Sequence, residues 1–483
     1  MSPFNDNRRT LGSDCFLHGY SSHSCVDTLE GNRKSALIWI AVLAFMPLAG
    51  FILYLLFGQT FYRKKWFEVK GMPEDEIREL NDKVISLIDE GKKYVEDPLD
   101  KEYLDVAATM MRANASYYID DNDITIYLDG NDKFKDLFED LRNAKSFIHL
   151  EYYIVRDDVL VNEMMDILIK KLNEGVEVRL MIDAIGMNSG PKTRIKEFKK
   201  AGGEFSLFHS MPTVLFSPRK NNRNHRKIAV IDGKVGYVGG YNIGDEYLGK
   251  GPFGFWRDTG TRVVGNSVAV MNMRFFMDWK YATGKNIDVS AKYFPPCGNC
   301  GSDKMQLVSG GPDTKNNPIQ KEYLKLVMLA KETIYIHTPY LVPDQTLKDT
   351  LELAALSGVD VRIIIPDRVD HAFVYWSSLY NAHLMMRNNV KVYQYHRGFV
   401  HSKTFVVDGK FCSIGSANLD ERSLKLNFET NAMIYSERIG EQMKQAFLDD
   451  LQYCTLYTEE QYQSRTLKEK FKTCISTMME SLQ

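Results

Sequence analysis

Neither charge sign dominates this 483-residue chain. Lys+Arg 61 against Asp+Glu 63 leaves a formal net charge of -2, so no global positive field draws in nucleic acid or anionic membrane, and attraction to phosphate has to be local. Cysteine is scarce. The residues at positions 15, 25, 297, 300, 412, 454 and 474 are odd in number and scattered, which excludes a disulfide framework and points to a reducing compartment. Long uncharged runs are missing with one exception. A hydrophobic content of 44% over this length is still enough to bury a large core, which excludes disordered and fibrous classes.

The exception is SALIWIAVLAFMPLAGFILYLLFGQTFY, Ser35 to Tyr62, set between Arg33-Lys34 and Arg63-Lys64-Lys65. As a helix it would reach roughly 42 Å, enough to cross a hydrocarbon core of about 30 Å once with tilt and too short to cross twice. No small-x-small cleavage site follows, so residues 35–62 read as a permanent transmembrane anchor. Arg63, Lys64, Lys65, Lys70 and Arg78 outnumber Arg33 and Lys34 near its ends. The large C-terminal part is therefore expected on the cytoplasmic side of the cell membrane, with a single crossing and the N-terminus outside. Residues 1–34 are polar and cannot span.

Residues 63–115 read as a helical connector, with a helix starting after Pro73. Beyond it strand and helix patterns alternate: DNDITIYLDG, DKFKDLFEDLRNAK, SFIHLEYYIV, NEMMDILIKKLNEG and VEVRLMID predict an α/β sheet. The series then recurs. AKSFIHLEYYIVRD from Ala144 matches AKETIYIHTPYLVPD from Ala330, and GVEVRLMID from Gly175 matches GVDVRIIIP from Gly358. A repeat of about 180 residues means two fused lobes, 116–300 and 301–483, not a solenoid.

Each unit closes on the same motif. NHRKIAVIDGKVGYVGGYN, ending at Asn242, and HSKTFVVDGKFCSIGSAN, ending at Asn418, keep His, Lys, Asp, Gly and Asn at one offset of 176 residues. Apolar alternation around HxK predicts a strand, so His225 and Lys227 share a face, as do His401 and Lys403. The DGK that follows predicts a hairpin turn, and Asp232 and Asp408 are assigned mainly to it. The returning strand then delivers Asn242 and Asn418 to the same edge. If the halves pair face to face, two imidazoles, two ammonium groups and two amides converge in a set without a metal-ligand pattern. Such a set suits a phosphodiester: lysine supplies point charge for nonbridging oxygens and asparagine an oriented donor. Metal-free cleavage needs a nucleophile on phosphorus and an acid for the departing alkoxide, roles that neutral imidazole and imidazolium fill. One site needs two protonation states, which accounts for the duplication. Each histidine benefits from a carboxylate that fixes its tautomer, and Asp258 in FWRDT and Glu429 in NFET stand at matching places in the repeat.

The two HxKxxxxDxxxxxxG[GS]xN copies resemble the motif pair of the phospholipase D superfamily. Residues 35–483 are similar to the bacterial cardiolipin synthase family through NNRNHRKIAVIDGKVGYVGGYNIGDEYLG, FWRDT, IHTPYLVPD and FVHSKTFVVDGKFCSIGSANLDERSLKLNFETNA. The resemblance implies two fused, duplicated α-β-α sandwich lobes sharing one active site, preceded by an N-terminal transmembrane helix. It implies transfer of a phosphatidyl group from one phosphatidylglycerol to another through a phosphohistidine, releasing cardiolipin and glycerol without a cofactor. It places His225 as nucleophile and His401 as general acid, then base, and puts Lys227, Asp232, Lys403 and Asp408 in the catalytic set. The family usually carries two hydrophobic segments before the lobes, where this chain has one.

SPRKNNRNHRK sets Arg219, Lys220 and Arg223, with Arg226 and Lys227, beside apolar MPTVLF, which suits an entrance touching both headgroup and acyl region of an anionic lipid. DHAFVYWSSLYNAHLMMRNN places Phe373, Trp376, Tyr380 and Leu384 on one helical face expected to pack on the sheet, with lipid contact as the alternative. CGNC, Cys297 to Cys300, lies in a Gly/Pro-rich joint between the halves, and one CxxC without a second ligand pair is not read as a zinc or redox site. His149 and His337 read as satisfied core residues. A lipid hydrolase with water as acceptor, and a phosphatidyltransferase with serine as acceptor, would share these residues. A nuclease of the superfamily is disfavoured by the anchor and the balanced charge, and a catalytically dead membrane scaffold by two intact motifs.

Overall fold

The alternating pattern becomes a three-layer α/β architecture in the computed structural model, which describes residues 85–86, 89–90, 95–209, 222–285, 287, 290–298, 300–314 and 316–480. The first half holds β1 (Ile119–Tyr127), β2 (Phe147–Tyr152), β3 (Glu177–Asp183), β4 (Glu204–Phe208), β5 (Ile228–Ile231), β6 (Val235–Gly239), β7 (Phe255–Arg257) and β8 (Gly260–Gly265). The second holds β9 (Asp303–Gly310), β10 (Thr333–His337), β11 (Leu341–Val342), β12 (Asp360–Pro366), β13 (Lys391–Tyr395), β14 (Gly398–Val400), β15 (Thr404–Val407), β16 (Phe411–Gly415), β17 (Leu419–Asp420), β18 (Glu429–Tyr435) and β19 (Cys454–Leu456).

One sheet runs β19-β13-β12-β10-β15-β16-β18-β9-β1-β8-β6-β5-β2-β3-β4. Apart from β19, the order reads the same outward from the junction where β1 and β9 pair antiparallel, so the sequence duplication is a structural one. The central strands are buried on both faces. All six residues of β2 are covered, as a strand with helices on either side requires. Helices Gly130–Asn143, Val159–Asn173 and Lys192–Lys200 cover one face of the first half. Their counterparts on the second are Pro318–Leu329, Gln345–Leu356 and Ala372–Met386. Helices Ser267–Thr283 and Glu437–Asp450 cover the other face, where residues of both halves share one core. The end of the connector folds onto this body. Asp97 caps the helix Pro98–Asn114, and Tyr103, Val106, Ala107 and Met110 enter the same core as Phe411 and Tyr435.

Among the described residues no helix is long and apolar enough to cross a membrane. The run Ser35–Tyr62 and the predicted helix start at Pro73 lie outside the described residues.

The DGK turns take the predicted hairpin form. Asp232 and Gly233 have φ of 53° and 66°, and Asp408 and Gly409 of 51° and 63°, the left-handed pair of a type I′ turn. Membership of Asp232 and Asp408 in the catalytic set is corrected here, because both carboxylates are spent on backbone. Asp232 accepts from the N–H groups of Lys145, Ser146 and Phe147 at 2.7, 2.7 and 2.9 Å. Asp408 accepts from Lys331, Glu332 and Thr333 at 2.8, 2.9 and 2.7 Å. Each clasps the start of β2 or β10, at the far end of β5 or β15 from the histidine.

The cysteine reading is also amended. Cys297 and Cys300 form a disulfide, a local ring that the argument against a wider framework did not cover. Cys412, Cys454 and Cys474 are free.

Asp232→Ala or Asp408→Ala should each cost about 2 kcal/mol, since three N–H groups lose their acceptor. Thermal melts should show the loss, while the fraction that stays folded keeps its turnover. A collapse of turnover without a change in melting temperature would return both aspartates to the chemistry.

Candidate active site

The HxK segments do not lie in the strands. β5 begins at Ile228 and β15 at Thr404, so His225–Lys227 and His401–Lys403 are extended lead-ins that pair elsewhere. The N–H of His225 donates to the Phe428 carbonyl and that of Phe428 to the Arg223 carbonyl, both at 2.8 Å, which bridges Asn224 in parallel with Phe428. In the other motif β14 lies parallel to β7, and the N–H of His401 donates to the Arg257 carbonyl at 2.7 Å. Gly398 permits that approach, because a Cβ there would collide with the Phe255 carbonyl.

Each bridge sets a histidine beside the acid of the opposite half. His225 Nδ1 lies 2.9 Å from Glu429 Oε2, and His401 Nδ1 lies 2.6 Å from Asp258 Oδ2. The imidazole side chains keep 11% of their surface exposed and the carboxylates 0%. With Nδ1 turned inward to the acid, Nε2 faces the opening. The acids are themselves held. Ser416 Oγ donates to Glu429 Oε2 at 2.6 Å and Asn427 Nδ2 to Oε1 at 3.2 Å, while the Thr259 N–H donates to Asp258 Oδ1 at 2.7 Å. Gly240 stands where the second motif has Ser416, and a Cβ there would strike the Asp258 carboxylate.

Lys227 and Lys403 donate to the carbonyls of His225 and His401. Burial pushes Lys227 down to about 7 and Lys403 to about 8. Burial also lowers both histidines, His401 to about 4 with Lys403 adding to it, and His225 against the opposing pull of Glu429. Burial alone would lift the carboxylates. Lys403 and His401 around Asp258, and His225 and Lys227 around Glu429, outweigh it and hold both below the ordinary carboxylate range. The resting site therefore carries two carboxylates, two lysines that titrate near neutrality and two neutral imidazoles.

The two asparagines differ. Asn242 is used up inside the protein, donating to the Tyr247 hydroxyl at 2.9 Å and accepting from the Ile154 N–H at 3.1 Å. Asn418 Oδ1 has no hydrogen-bond partner among the described residues. The walls differ as well: Tyr153 meets His225 edge-on with ring centroids 4.9 Å apart, while Tyr247 and Trp256 stand 6.1 and 5.6 Å from His401.

Of the predicted entrance, Arg219 and Lys220 lie outside the described residues, and Arg223 is buried 3.8 Å from Asp183. Arg226 belongs to no entrance. Fully buried, it reaches Asp278 Oδ1 at 2.7 Å, the Gly310 carbonyl at 2.9 Å and the Glu429 carbonyl at 3.1 Å, and so bolts the first motif to the second half. Its place between His225 and Lys227, pointing to the opposite face, was the available signal. Tyr153 was missed for want of any polar pattern around it. His149 and His337 are satisfied core residues, bonded to Asn272 Oδ1 at 2.8 Å and to Thr404 Oγ1 at 2.9 Å.

A duplicated α/β sheet whose two His–Lys pairs are completed by acids from opposite halves defines an enzyme of the phospholipase D superfamily. The family model described as "Cardiolipin synthase, PLD-like domain" matches residues 137–250 and 323–451, and one described as "Phospholipase_D-nuclease N-terminal" matches residues 24–59. A cardiolipin synthase of Staphylococcus aureus is 42% identical over 450 residues, covering 93% of this chain and 91% of that one. Cardiolipin synthase 2 of Staphylococcus epidermidis is 41% identical over 443 residues, with 91% of each covered. The phosphatidylserine synthase of Haemophilus influenzae shares the fold, with a TM-score of 0.55 and 13% identity over 74% of this chain and 92% of that one. The chain belongs to the PLD-like cardiolipin synthase family of phosphatidyltransferases.

The crosswise wiring is open to a direct check. The Glu429 charge raises the His225 pKa, so Glu429→Gln should move the His225 imidazole NMR titration further down and leave that of His401 in place. Asp258→Asn should do the converse. Each variant should also lower kcat about a thousandfold as the fixed tautomer is lost. Each acid moving the histidine of its own half would break the assignment.

Proposed function

We propose that the chain makes cardiolipin by moving a phosphatidyl group between two phosphatidylglycerol molecules, with His225 and His401 as the covalent and the acid–base parts of one site. The observation that carries this reading is the pair of crosswise His–carboxylate contacts around two buried lysines. His225 Nε2 attacks the phosphorus of the first lipid while His401 gives a proton to the departing glycerol oxygen. A P–N bond forms and a P–O bond breaks. The headgroup hydroxyl of a second phosphatidylglycerol then attacks the phosphorus, its proton passes to His401, and the P–N bond breaks to release cardiolipin. Lys227 and Lys403 hold the nonbridging oxygens, Asn418 is free to orient the headgroup, and Glu429 and Asp258 are positioning residues. The choice of His225 as nucleophile rests on the family resemblance.

Charge bookkeeping explains how His401 becomes an acid. With both lysines charged, two ammoniums and two carboxylates cancel, so the phosphodiester brings one uncompensated negative charge into a dry site. A proton on imidazole offsets it. Substrate thereby raises His401 above the value of about 4 in the empty site. The cellular setting follows the same reading: residues 35–62 anchor the protein in the cell membrane, and the lobes 116–300 and 301–483 work on the cytoplasmic side.

Purified full-length protein in detergent micelles with phosphatidylglycerol and chelator should yield cardiolipin and glycerol by mass spectrometry, and neither His225→Ala nor His401→Ala should do so. Phosphatidic acid as the main product would make the enzyme a hydrolase. A pH series adds a signed test: kcat reports the bound complex and kcat/KM the free enzyme, so the alkaline limb of kcat should lie at higher pH than that of kcat/KM. Coincident limbs would mean that substrate does not supply the acid.

A further inference from the structure

The helix Leu467–Glu480 is built the wrong way round for a water-facing surface. Its buried face is polar, with Thr473 and Ser476 covered, while Leu467 is 86% exposed, Phe471 66% and Met478 67%. Cys474 is exposed between them. At about 100° per residue these four fall within about 60° of the circumference. Lys470 lies on one flank and Lys468 on the other. Glu469 turns back to the helix start, accepting from the Thr466 N–H and hydroxyl at 2.8 Å.

The helix also packs on one that begins close to the active site. Lys472 sits over Trp376 at 5.2 Å, so this helix packs beside Ala372–Met386. The sequence expected Phe373, Trp376, Tyr380 and Leu384 to pack on the sheet. Leu379, Ala382 and Met385 do so, with Trp376 half-buried against the same core, while Phe373 is 51% exposed. Val369, 43% exposed, precedes Asp370, which accepts the Tyr340 hydroxyl at 2.5 Å and acts electrostatically on Lys403. Ile185, two residues past the end of β3 as Val369 is three past the end of β12, is 41% exposed. Exposed apolar side chains thus follow the strand ends that lead into the site in both halves.

We propose that the Leu467–Phe471–Met478 stripe and the Val369–Phe373 turn form an interfacial surface that seats the catalytic unit on an anionic bilayer, with the helix lying in the membrane plane. This rests on the lipid-transfer reading and adds to it. Charge selects the occupant. Two copies pressed together along this stripe would bring Lys468 and Lys470 of both into contact, whereas phosphatidylglycerol headgroups neutralise them while the lysine stems lie along the apolar face. Both lipid substrates could then enter the mouth without leaving the membrane.

The test places the photo-crosslinker p-benzoylphenylalanine at Phe471 of the full-length protein, reconstituted into phosphatidylglycerol vesicles. Irradiation should give a lipid adduct by mass spectrometry, reduced several-fold in phosphatidylcholine vesicles and in high salt. Crosslinking to a second copy of the chain, or no adduct, would overturn the proposal. As a second readout, Leu467→Glu/Phe471→Glu/Met478→Glu should lower the ratio of turnover on vesicles to turnover on monomeric short-chain phosphatidylglycerol about tenfold. An unchanged ratio would also overturn it. Failure of the lipid-transfer reading looks different: wild type would make no cardiolipin in either assay while the adduct persists.

Discussion

Four charged groups buried in one seam set the terms for the rest of the molecule. Lys227, Lys403, Asp258 and Glu429 are almost fully covered, and removing any one of them from water is tolerable only while the others stay close. Two of the four come from each half, so neither half can hold its charges alone. The unbroken sheet through the β1–β9 junction and the Arg226 bolt are what keep them together. Lysines that titrate near neutrality and imidazoles that stay neutral are consequences of that dryness, and they leave the site short of a proton until an anion enters.

Much of this was legible in the sequence, for an identifiable reason. The motif repeats the same residue types at an offset of 176 residues, which exposed the lobes, and the paired segments FWRDT and NFET exposed the acids Asp258 and Glu429. Apolar alternation sufficed for the α/β class. The wiring was hidden because it depends on contacts distant in sequence. The parallel bridges Asn224–Phe428 and β7–β14 pull the HxK segments out of their strands, and no local period records that. Asp232 and Asp408, which the motif's geometry assigned mainly to the turn and the resemblance to the catalytic set, are kept in both copies where each turn is clasped to a neighbouring strand. The Cys297–Cys300 ring and the exposed Phe373 escaped for a related reason, since composition and helical phase do not say what lies alongside.

The two halves have kept their chemistry while their packing diverged. Gly240 makes room for the Asp258 carboxylate where Ser416 donates to Glu429. Tyr247 braces Asn242, yet Ser423 occupies the matching position five residues past Asn418 and Asn418 Oδ1 stays unpartnered. His401 has an aromatic wall, whereas His225 faces one tyrosine with Arg223 nearby. A double displacement asks different things of its two histidines, and unequal surroundings allow each to be tuned separately.

The exchange of acids between halves bears on how such a chain arose. A single copy of the repeat would have two lone elements of a site, a histidine without its acid and an acid without its histidine. Only by meeting another copy of itself could it complete either pair, and it would then complete both at once. The present chain is such a meeting made permanent by fusion. Covalent linkage releases the copies from identity, so that one carries a serine beside its acid where the other has glycine, and a serine where the other has a tyrosine beside its amide.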